Sequence, residues 1–140
     1  MWAKQLYSSH MPDSKTVLIV EDEPLLGNLL KQRLEKDGII AVLNRDGEEA
    51  TKTLREMRPD LILLDIILPK VSGFELMETM KADPTIERAP IIIVSNLGQD
   101  ADIERGRSLG AIEYFIKAKM SIEDLVVNIK RILAGGNVVQ

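Results

Sequence analysis

Polar and charged residues stand at the ends of several short apolar runs in this sequence. Three acidic residues follow the first run, KTVLIV, and a single aspartate follows LILL. A serine closes the run that begins IIIV, and a lysine follows YFI. If the runs are neighbouring strands, carboxylates, a hydroxyl and an ammonium meet at one edge of a sheet. The residues are Glu21, Asp22, Glu23, Asp65, Ser95 and Lys117.

Carboxylates, a hydroxyl and an ammonium at one edge could together bind a metal ion and react with a phosphoryl group. Clustered carboxylates repel one another, which raises their pKa values unless a cation lies among them. Ligands that are all oxygen suit a hard divalent ion, and an open, water-rich site suits magnesium. An aspartate beside such an ion is a plausible nucleophile toward phosphorus. The metal, the Lys117 ammonium and the Ser95 hydroxyl would then neutralise the phosphoryl oxygens as charge builds up.

Each residue taken alone has a simpler explanation. Acidic residues after a strand are commonly loop or helix-cap residues, and a single lysine is usually a solvated surface charge. Glu23 is assigned to this simpler class, as a carboxylate at a helix start that the helix dipole favours. The remaining residues point to a site jointly, because they follow the same end of consecutive predicted strands.

The elements that must position these residues alternate regularly along the chain. Short apolar runs predict strands at 15–20, 39–43, 61–64, 91–94 and 112–116. Helices are predicted from Pro24 to Gly38, from Asp46 to Pro59, over 73–81 and 100–109, and from Ser121 to Leu133. Five strand–helix repeats with continuously apolar strands predict a parallel sheet that is covered on both faces. In such sheets, ligands bind at the carboxyl ends of the strands.

Composition narrows the class of protein. A chain of 140 residues suits one domain, and the absence of cysteine excludes disulfides, thiolate catalysis and cysteine-bound zinc. A net charge of −4 disfavours direct binding to nucleic acid. The longest apolar runs have only the length of strands, so we expect no membrane span and a cytoplasmic protein.

The first ten residues look unrelated to the rest. Residues 1–10 lack the charged start and apolar stretch of a signal peptide and are typical of an expression-tag leader. We therefore expect the natural chain to begin at Met11 and one domain to occupy 11–140. The single histidine, His10, then falls outside this domain.

From about residue 15 to residue 133, the chain resembles the receiver domains of two-component response regulators, the chemotaxis receiver among them. The motifs VLIVEDEP, LILLDIILPKVSG, IIIVSN and YFIK carry this resemblance. The spacing also agrees, since Pro69, Gly73, Ser95 and Lys117 follow Asp65 by 4, 8, 30 and 52 positions. The resemblance implies an α/β, flavodoxin-like (βα)5 fold, a doubly wound five-stranded parallel sheet in the order 2-1-3-4-5.

The resemblance also implies roles for single residues. Asp65 would be the phosphoacceptor, Lys117 would contact the phosphoryl group, and Ser95 and Tyr114 would be the switch hydroxyl and the switch aromatic. The implied cofactor is Mg²⁺, with Mn²⁺ as an alternative. Its implied ligands are Asp22, Asp65, the main-chain carbonyl of Ile67, and Glu21 through water.

The function implied is signalling, with no catalysis beyond the domain's own phosphorylation and dephosphorylation. A sensor histidine kinase or a histidine phosphotransfer protein would donate the phosphoryl group. Movement of Ser95 would let Tyr114 rotate inward, with the output at the fourth helix, fifth strand and fifth helix. An unidentified downstream protein or a second copy of the chain would read that output. Gly106 in the fourth helix indicates either a weak, mobile helix or close packing against a neighbour.

The sequence departs from the family pattern at two positions. Ala118 follows Lys117, where family members usually carry a proline in a cis bond. Because a cis bond before another residue type costs about 3 kcal/mol, we expect this bond to be trans or strained. Asn96 follows Ser95, where a small residue is common, so we expect it to narrow access to the phosphoryl site.

Other functions remain as alternatives. Because the chain ends soon after the fifth helix, a lone receiver that relays phosphate is one of them, and an excised piece of a longer protein is another. A phosphatase of the haloacid-dehalogenase type would need a second aspartate two residues after the nucleophile, where this chain has Ile67. A flavin carrier would need a phosphate-cradling loop after the first strand, where the acidic EDEP would repel phosphate. A receiver-shaped scaffold that is never phosphorylated would lack one or more of the site residues, whereas this sequence has all of them.

Overall fold

The computed structural model of the chain describes residues 14 to 135. The leader predicted at residues 1–10 and the start predicted at Met11 lie outside the described residues. The strands are β1 Thr16–Val20, β2 Ile40–Asn44, β3 Leu61–Leu64, β4 Ile91–Ser95 and β5 Glu113–Ile116. The helices are α1 Pro24–Lys36, α2 Gly47–Glu56, α3 Gly73–Ala82, α4 Asp100–Ser108 and α5 Ile122–Leu133, and a short 3₁₀ turn, Lys117–Lys119, follows β5.

All five strands are parallel and lie in the order β2-β1-β3-β4-β5, which confirms the predicted fold. The chain moves from β1 outward to β2 and then crosses to β3 on the other side. The strand order therefore reverses between β1 and β3. In open sheets of this kind, a crevice forms at the carboxyl ends of the strands beside that reversal.

Side chains alternate between the two faces of the sheet and build a core on each face. On one face, Leu18 and Val20 of β1 pack with buried residues of α2 and α3. On the other face, Val17 and Ile19 pack with buried leucines and an isoleucine of α1 and α5. Because both faces are covered, the strands are apolar in their middle positions apart from Tyr114, and the other polar residues stand at their first or last positions.

The helix ends follow the predicted signals with one difference. The Asp46 carboxylate accepts a hydrogen bond from the Glu49 amide at 2.8 Å, as the capping pattern predicts. The Glu49 carboxylate accepts from the Arg45 amide at 3.2 Å, one residue before the capping position. The prediction of α2 is confirmed, but only one arm of its capping box forms as expected.

Gly106 lies in α4 where that helix packs against β4 and β5. A Cβ atom at this position would lie 2.7 Å from Cδ1 of Ile93 and 3.1 Å from Cδ2 of Tyr114. Of the two interpretations left open by the sequence, the structure favours close packing.

Within residues 14 to 135, none of the helices combines the length and the apolar character needed to cross a bilayer.

Candidate functional site

Asp65 occupies the first position after β3 and is fixed through its backbone. Its amide donates to the carbonyl of Val20 at 3.0 Å, and the residue is only 4% exposed. Gly73, the first residue of α3, lies against this backbone, so that a Cβ atom there would be 2.4 Å from the Asp65 carbonyl oxygen. The glycine therefore lets α3 begin directly behind the aspartate.

The end of β1 supplies two further carboxylates. The amide of Glu21 donates to the carbonyl of Asn44 at 3.0 Å, which continues the pairing of β1 with β2 by one residue. Glu21 is buried and Asp22 is half-buried. One carboxylate oxygen from each of Glu21, Asp22 and Asp65 lies within 4.8 Å of the others. The spacing in the sequence predicts this grouping, and the structure brings the three residues together.

Lys117 reaches this cluster from the end of β5, two strands away from β3. Its ammonium lies 2.7 Å from Oδ2 of Asp65 and 2.9 Å from Oε1 of Glu21. It also lies 3.3 Å from Oε1 of Glu23. The Lys117 side chain is only 8% exposed, so the ammonium depends on these carboxylates for partners.

The electrostatics reflect a buried site with excess negative charge. Burial raises the pKa of Glu21 to about 7, although the hydrogen bond from Lys117 acts in the opposite direction. Burial opposes the charge on Lys117, but hydrogen bonds to Asp65 and Glu21 outweigh it and raise the pKa of Lys117. The lysine therefore stays an ammonium at neutral pH and balances only part of the carboxylate charge around it.

The donor set fits a hard divalent cation. The three clustered donors are all carboxylate oxygens, which Mg²⁺ and Mn²⁺ accept. The three oxygens lie within 4.8 Å of one another, which is close enough for them to surround one ion directly or through water.

The residue predicted to add a main-chain ligand lies beside the aspartate. The amide of Ile67 donates to Oδ1 of Asp65 at 3.2 Å, which holds the loop after β3 close to the carboxylate. A second anchor holds this loop further along. A Cβ atom on Gly47, at the start of α2, would lie 2.3 Å from the carbonyl oxygen of Val71.

Ser95 and Tyr114 both bond to the peptide groups of Leu97. Oγ of the buried Ser95 accepts from the Leu97 amide at 3.2 Å, and the Tyr114 hydroxyl donates to the Leu97 carbonyl. Tyr114 is 9% exposed, and burial raises its pKa to about 12. The Tyr114 ring is therefore largely buried in this structure, and its role as a switch residue stays a prediction.

The two residues that depart from the family pattern, Ala118 and Asn96, are joined by a hydrogen bond. The Lys117–Ala118 peptide bond is trans, which is one of the two outcomes expected for it. The amide of Ala118 donates to Oδ1 of Asn96 at 3.1 Å. Asn96 also lines a shallow depression together with Lys117, Glu23 and Leu26.

Two residues with contacts at this site, Glu23 and Leu97, were not predicted from the sequence to belong to it. Glu23 precedes α1 as expected, but its side chain forms no cap and instead contacts Lys117. The direction of a side chain at a helix start depends on what lies opposite it, which here comes from a distant part of the chain. Leu97 acts only through its backbone, so no sequence signal could have identified it.

Comparison with known proteins places this geometry in a family. Residues 17–130 match the family model of the response regulator receiver domain. The chain is 39% identical over 119 residues to the polar-differentiation response regulator DivK of Brucella anthropi, covering 85% of this chain and 96% of that protein.

Two further comparisons match a domain that is part of another kind of protein, a transcriptional regulatory protein in one case and a histidine kinase in the other. The phosphate regulon transcriptional regulatory protein PhoB of Rhizobium meliloti is 38% identical over 117 residues, or 84% of this chain, which spans only 51% of that protein's length. The receiver domain of a signal transduction histidine kinase from Syntrophus aciditrophicus has a TM-score of 0.77 at 31% identity, covering 91% of this chain and 96% of that one.

Proposed function

Because this chain belongs to the response regulator receiver domains of two-component signalling, we propose that it accepts a phosphoryl group on Asp65 with a divalent metal ion beside it. Receiver domains are signalling domains rather than conventional enzymes. The observation that carries the proposal is the bond of 2.7 Å between the Lys117 ammonium and Asp65, among the carboxylates of Glu21 and Asp22.

The transfer follows from the groups that surround Asp65. One carboxylate oxygen of Asp65 bonds to phosphorus, while the bond from phosphorus to the donor breaks and the leaving group takes the electron pair. The Lys117 ammonium can turn from Asp65 to a phosphoryl oxygen as that oxygen arrives. Since Oγ of Ser95 acts as an acceptor toward Leu97, its hydroxyl hydrogen can be donated to a second phosphoryl oxygen.

Asp22, Asp65 and the Ile67 carbonyl would hold the metal directly, and Glu21 would hold it through water. When bound, Mg²⁺ or Mn²⁺ offsets negative charge on the carboxylates and on the phosphoryl oxygens. The close approach of the three carboxylates supports this assignment.

The partners follow from the same chemistry. A sensor histidine kinase or a histidine phosphotransfer protein would supply the phosphoryl group, and a cytoplasmic location goes with that role. The output would pass through α4, β5 and α5, since Tyr114 lies on β5 against Gly106 of α4. A downstream protein or a second copy of the chain would read this surface.

Labelling with a small phosphodonor tests the proposal. With acetyl phosphate and Mg²⁺, the intact mass is expected to rise by one phosphoryl group, and the rise should disappear when the metal is chelated. Asp65→Asn should abolish it, whereas Asp124→Asn, at an exposed position of α5, should label as the wild type does. Equal labelling of Asp65→Asn would refute Asp65 as the acceptor.

A further inference from the structure

The turn that presents Lys117 is weakly held by its own backbone. Residues Lys117–Lys119 form a single 3₁₀ turn, in which the Met120 amide reaches the Lys117 carbonyl at 3.4 Å. That distance is at the long end for a backbone hydrogen bond. A shorter bond comes from outside the turn, where the Ala118 amide donates to Oδ1 of Asn96 at 3.1 Å.

Asn96 begins a loop, residues 96–99, that runs beside the end of β5. In the middle of this loop, the Leu97 carbonyl accepts from the Tyr114 hydroxyl. Next to it, Gly98 lies so close to β5 that a Cβ atom there would be 2.8 Å from Cδ1 of Ile116. Asn96 therefore belongs to a loop that contacts β5 at two points. Its side chain can hold the turn at 117–119 in place through the hydrogen bond from Ala118.

The position of this turn matters because the Lys117 side chain must reach two carboxylates from it. Its flexible four-carbon stem must carry the ammonium to both Asp65 and Glu21, which follow two other strands. A shift of the turn moves the base of this side chain and changes what the ammonium can reach. Position 118 is alanine, so it has the amide hydrogen that a proline would lack.

We propose that Asn96 is a positioning residue for phosphoryl transfer, which acts by holding the Ala118 amide and so directing Lys117 at Asp65. This role rests on the proposed function. It differs from the effect expected from the sequence, which was that the Asn96 side chain narrows access to Asp65. An effect on access would not depend on Lys117, whereas an effect through the turn must depend on it.

A double-mutant cycle distinguishes the two effects. The rate of Asp65 labelling by acetyl phosphate is measured for the wild type, Asn96→Ala, Lys117→Ala and the double variant. Loss of one hydrogen bond is expected to slow labelling about two- to tenfold in the Lys117 background. In the Lys117→Ala background, Asn96→Ala should have no further effect. Lys119→Ala, an exposed change in the same turn, is the matched control and should label as the wild type does.

Amide hydrogen exchange gives a readout that does not depend on phosphorylation. Protection of the Ala118 amide should be lost in Asn96→Ala and kept in Asn96→Asp, which retains an acceptor oxygen. Faster labelling of Asn96→Ala would overturn the role of Asn96 but leave the proposed function intact. An equal slowing by Asn96→Ala in the presence and in the absence of the Lys117 side chain would have the same consequence. Unchanged protection at Ala118 would do the same. A wild type that takes no label would overturn the proposed function, and this role with it.

Discussion

At the scale of single residues, one buried ammonium holds the site together. Lys117 contacts Asp65, Glu21 and Glu23, and it is the cation that the described residues place among these carboxylates. Removing one partner from a buried ion pair usually costs more than the pair contributes, because the other charge is left without compensation. The carboxylates are not equivalent, since Glu23 is 56% exposed and Asp65 is buried.

This difference leads to a prediction about metal binding. Asp22→Ala should weaken Mg²⁺ binding sharply, because Asp22 is one of the three clustered oxygen donors. Glu23→Ala removes a neighbouring carboxylate that contacts Lys117 and lies outside that cluster, so its affinity should stay close to that of the wild type. Isothermal titration calorimetry measures both. Equal Kd values for the wild type and Asp22→Ala would contradict the ligand assignment.

A second prediction concerns pH and Tyr114. Burial raises the pKa of Tyr114 to about 12, so the folded state favours the neutral phenol more than the unfolded state does, where the pKa is about 10. The resulting stability is fully present below about pH 10 and is lost as the pH rises toward 12. Urea unfolding between about pH 8 and pH 12 should show this loss in the wild type.

Tyr114→Phe provides the comparison that isolates this effect. Lys117 also has a raised pKa and contributes a loss of the same sign, so some decline remains in every variant. The decline should be smaller in Tyr114→Phe, because its ring has no proton to lose. Parallel curves for the two proteins would show that Tyr114 does not titrate differently in the folded state.

At the scale of elements, the two loops that flank the site are set by close contacts with glycines. The loop after β3 lies against Gly47 and Gly73, and the loop after β4 brings Gly98 against β5. At each position a Cβ atom would fall within 3.0 Å of a neighbouring atom. Side-chain volume at these contacts would therefore push the loops, and with them the site, out of place.

Gly106 allows a prediction at this scale, since it brings α4 against β4 and β5. In an exposed helix, Gly→Ala would stabilise by about 1 kcal/mol. Here the added methyl group would meet Ile93 and the Tyr114 ring, so Gly106→Ala should lower the free energy of unfolding by about 1–3 kcal/mol. Glu104→Ala, at an exposed position of the same helix, should change it by less than about 0.5 kcal/mol. Urea unfolding of both variants checks this, and a stabilised Gly106→Ala would contradict the close packing.

At the scale of the whole molecule, the site and the expected output surface are joined through Leu97. Its peptide groups bond to Ser95 on one side and to Tyr114 on the other. If Ser95 turns toward a phosphoryl oxygen, it releases the Leu97 amide, and the bond to Tyr114 and the packing on Gly106 must adjust. Within the described residues, these contacts connect Ser95, through Leu97 and Tyr114, to Gly106 of α4.

This path predicts where the molecule responds to activation. Beryllofluoride, used as a stand-in for the phosphoryl group, should change amide hydrogen exchange near Asp65 and also across residues 100 to 116. That segment mixes acidic Asp100 and Glu104 with basic Arg105 and Arg107, so its charge pattern could pair with a partner or with a second copy. The control is Asp65→Asn with beryllofluoride, which should show neither change. Changes confined to the neighbourhood of Asp65 would mean that the output surface lies elsewhere.

The sequence by itself determined the fold class and predicted which charged residues would lie at one edge of the sheet. Continuous apolar runs, each followed by a helix with its own start and stop signals, leave few arrangements other than a parallel sheet covered on both faces. Parallel strands bring their carboxyl ends to one edge, so Glu21, Asp22, Asp65 and Lys117 had to meet there. These features depend on local periodicity and on the order of elements, both of which can be read from the chain.

Only the tertiary structure decided how the groups pair. Glu23 contacts Lys117 instead of capping α1, Asn96 bonds to Ala118, and the Leu97 carbonyl accepts a hydrogen bond from Tyr114. Gly106 proved to be a packing contact because Ile93 and Tyr114 lie against it. Each of these contacts joins parts of the chain that lie on different elements. Their geometry depends on distances between packed elements, which no local pattern of residues encodes.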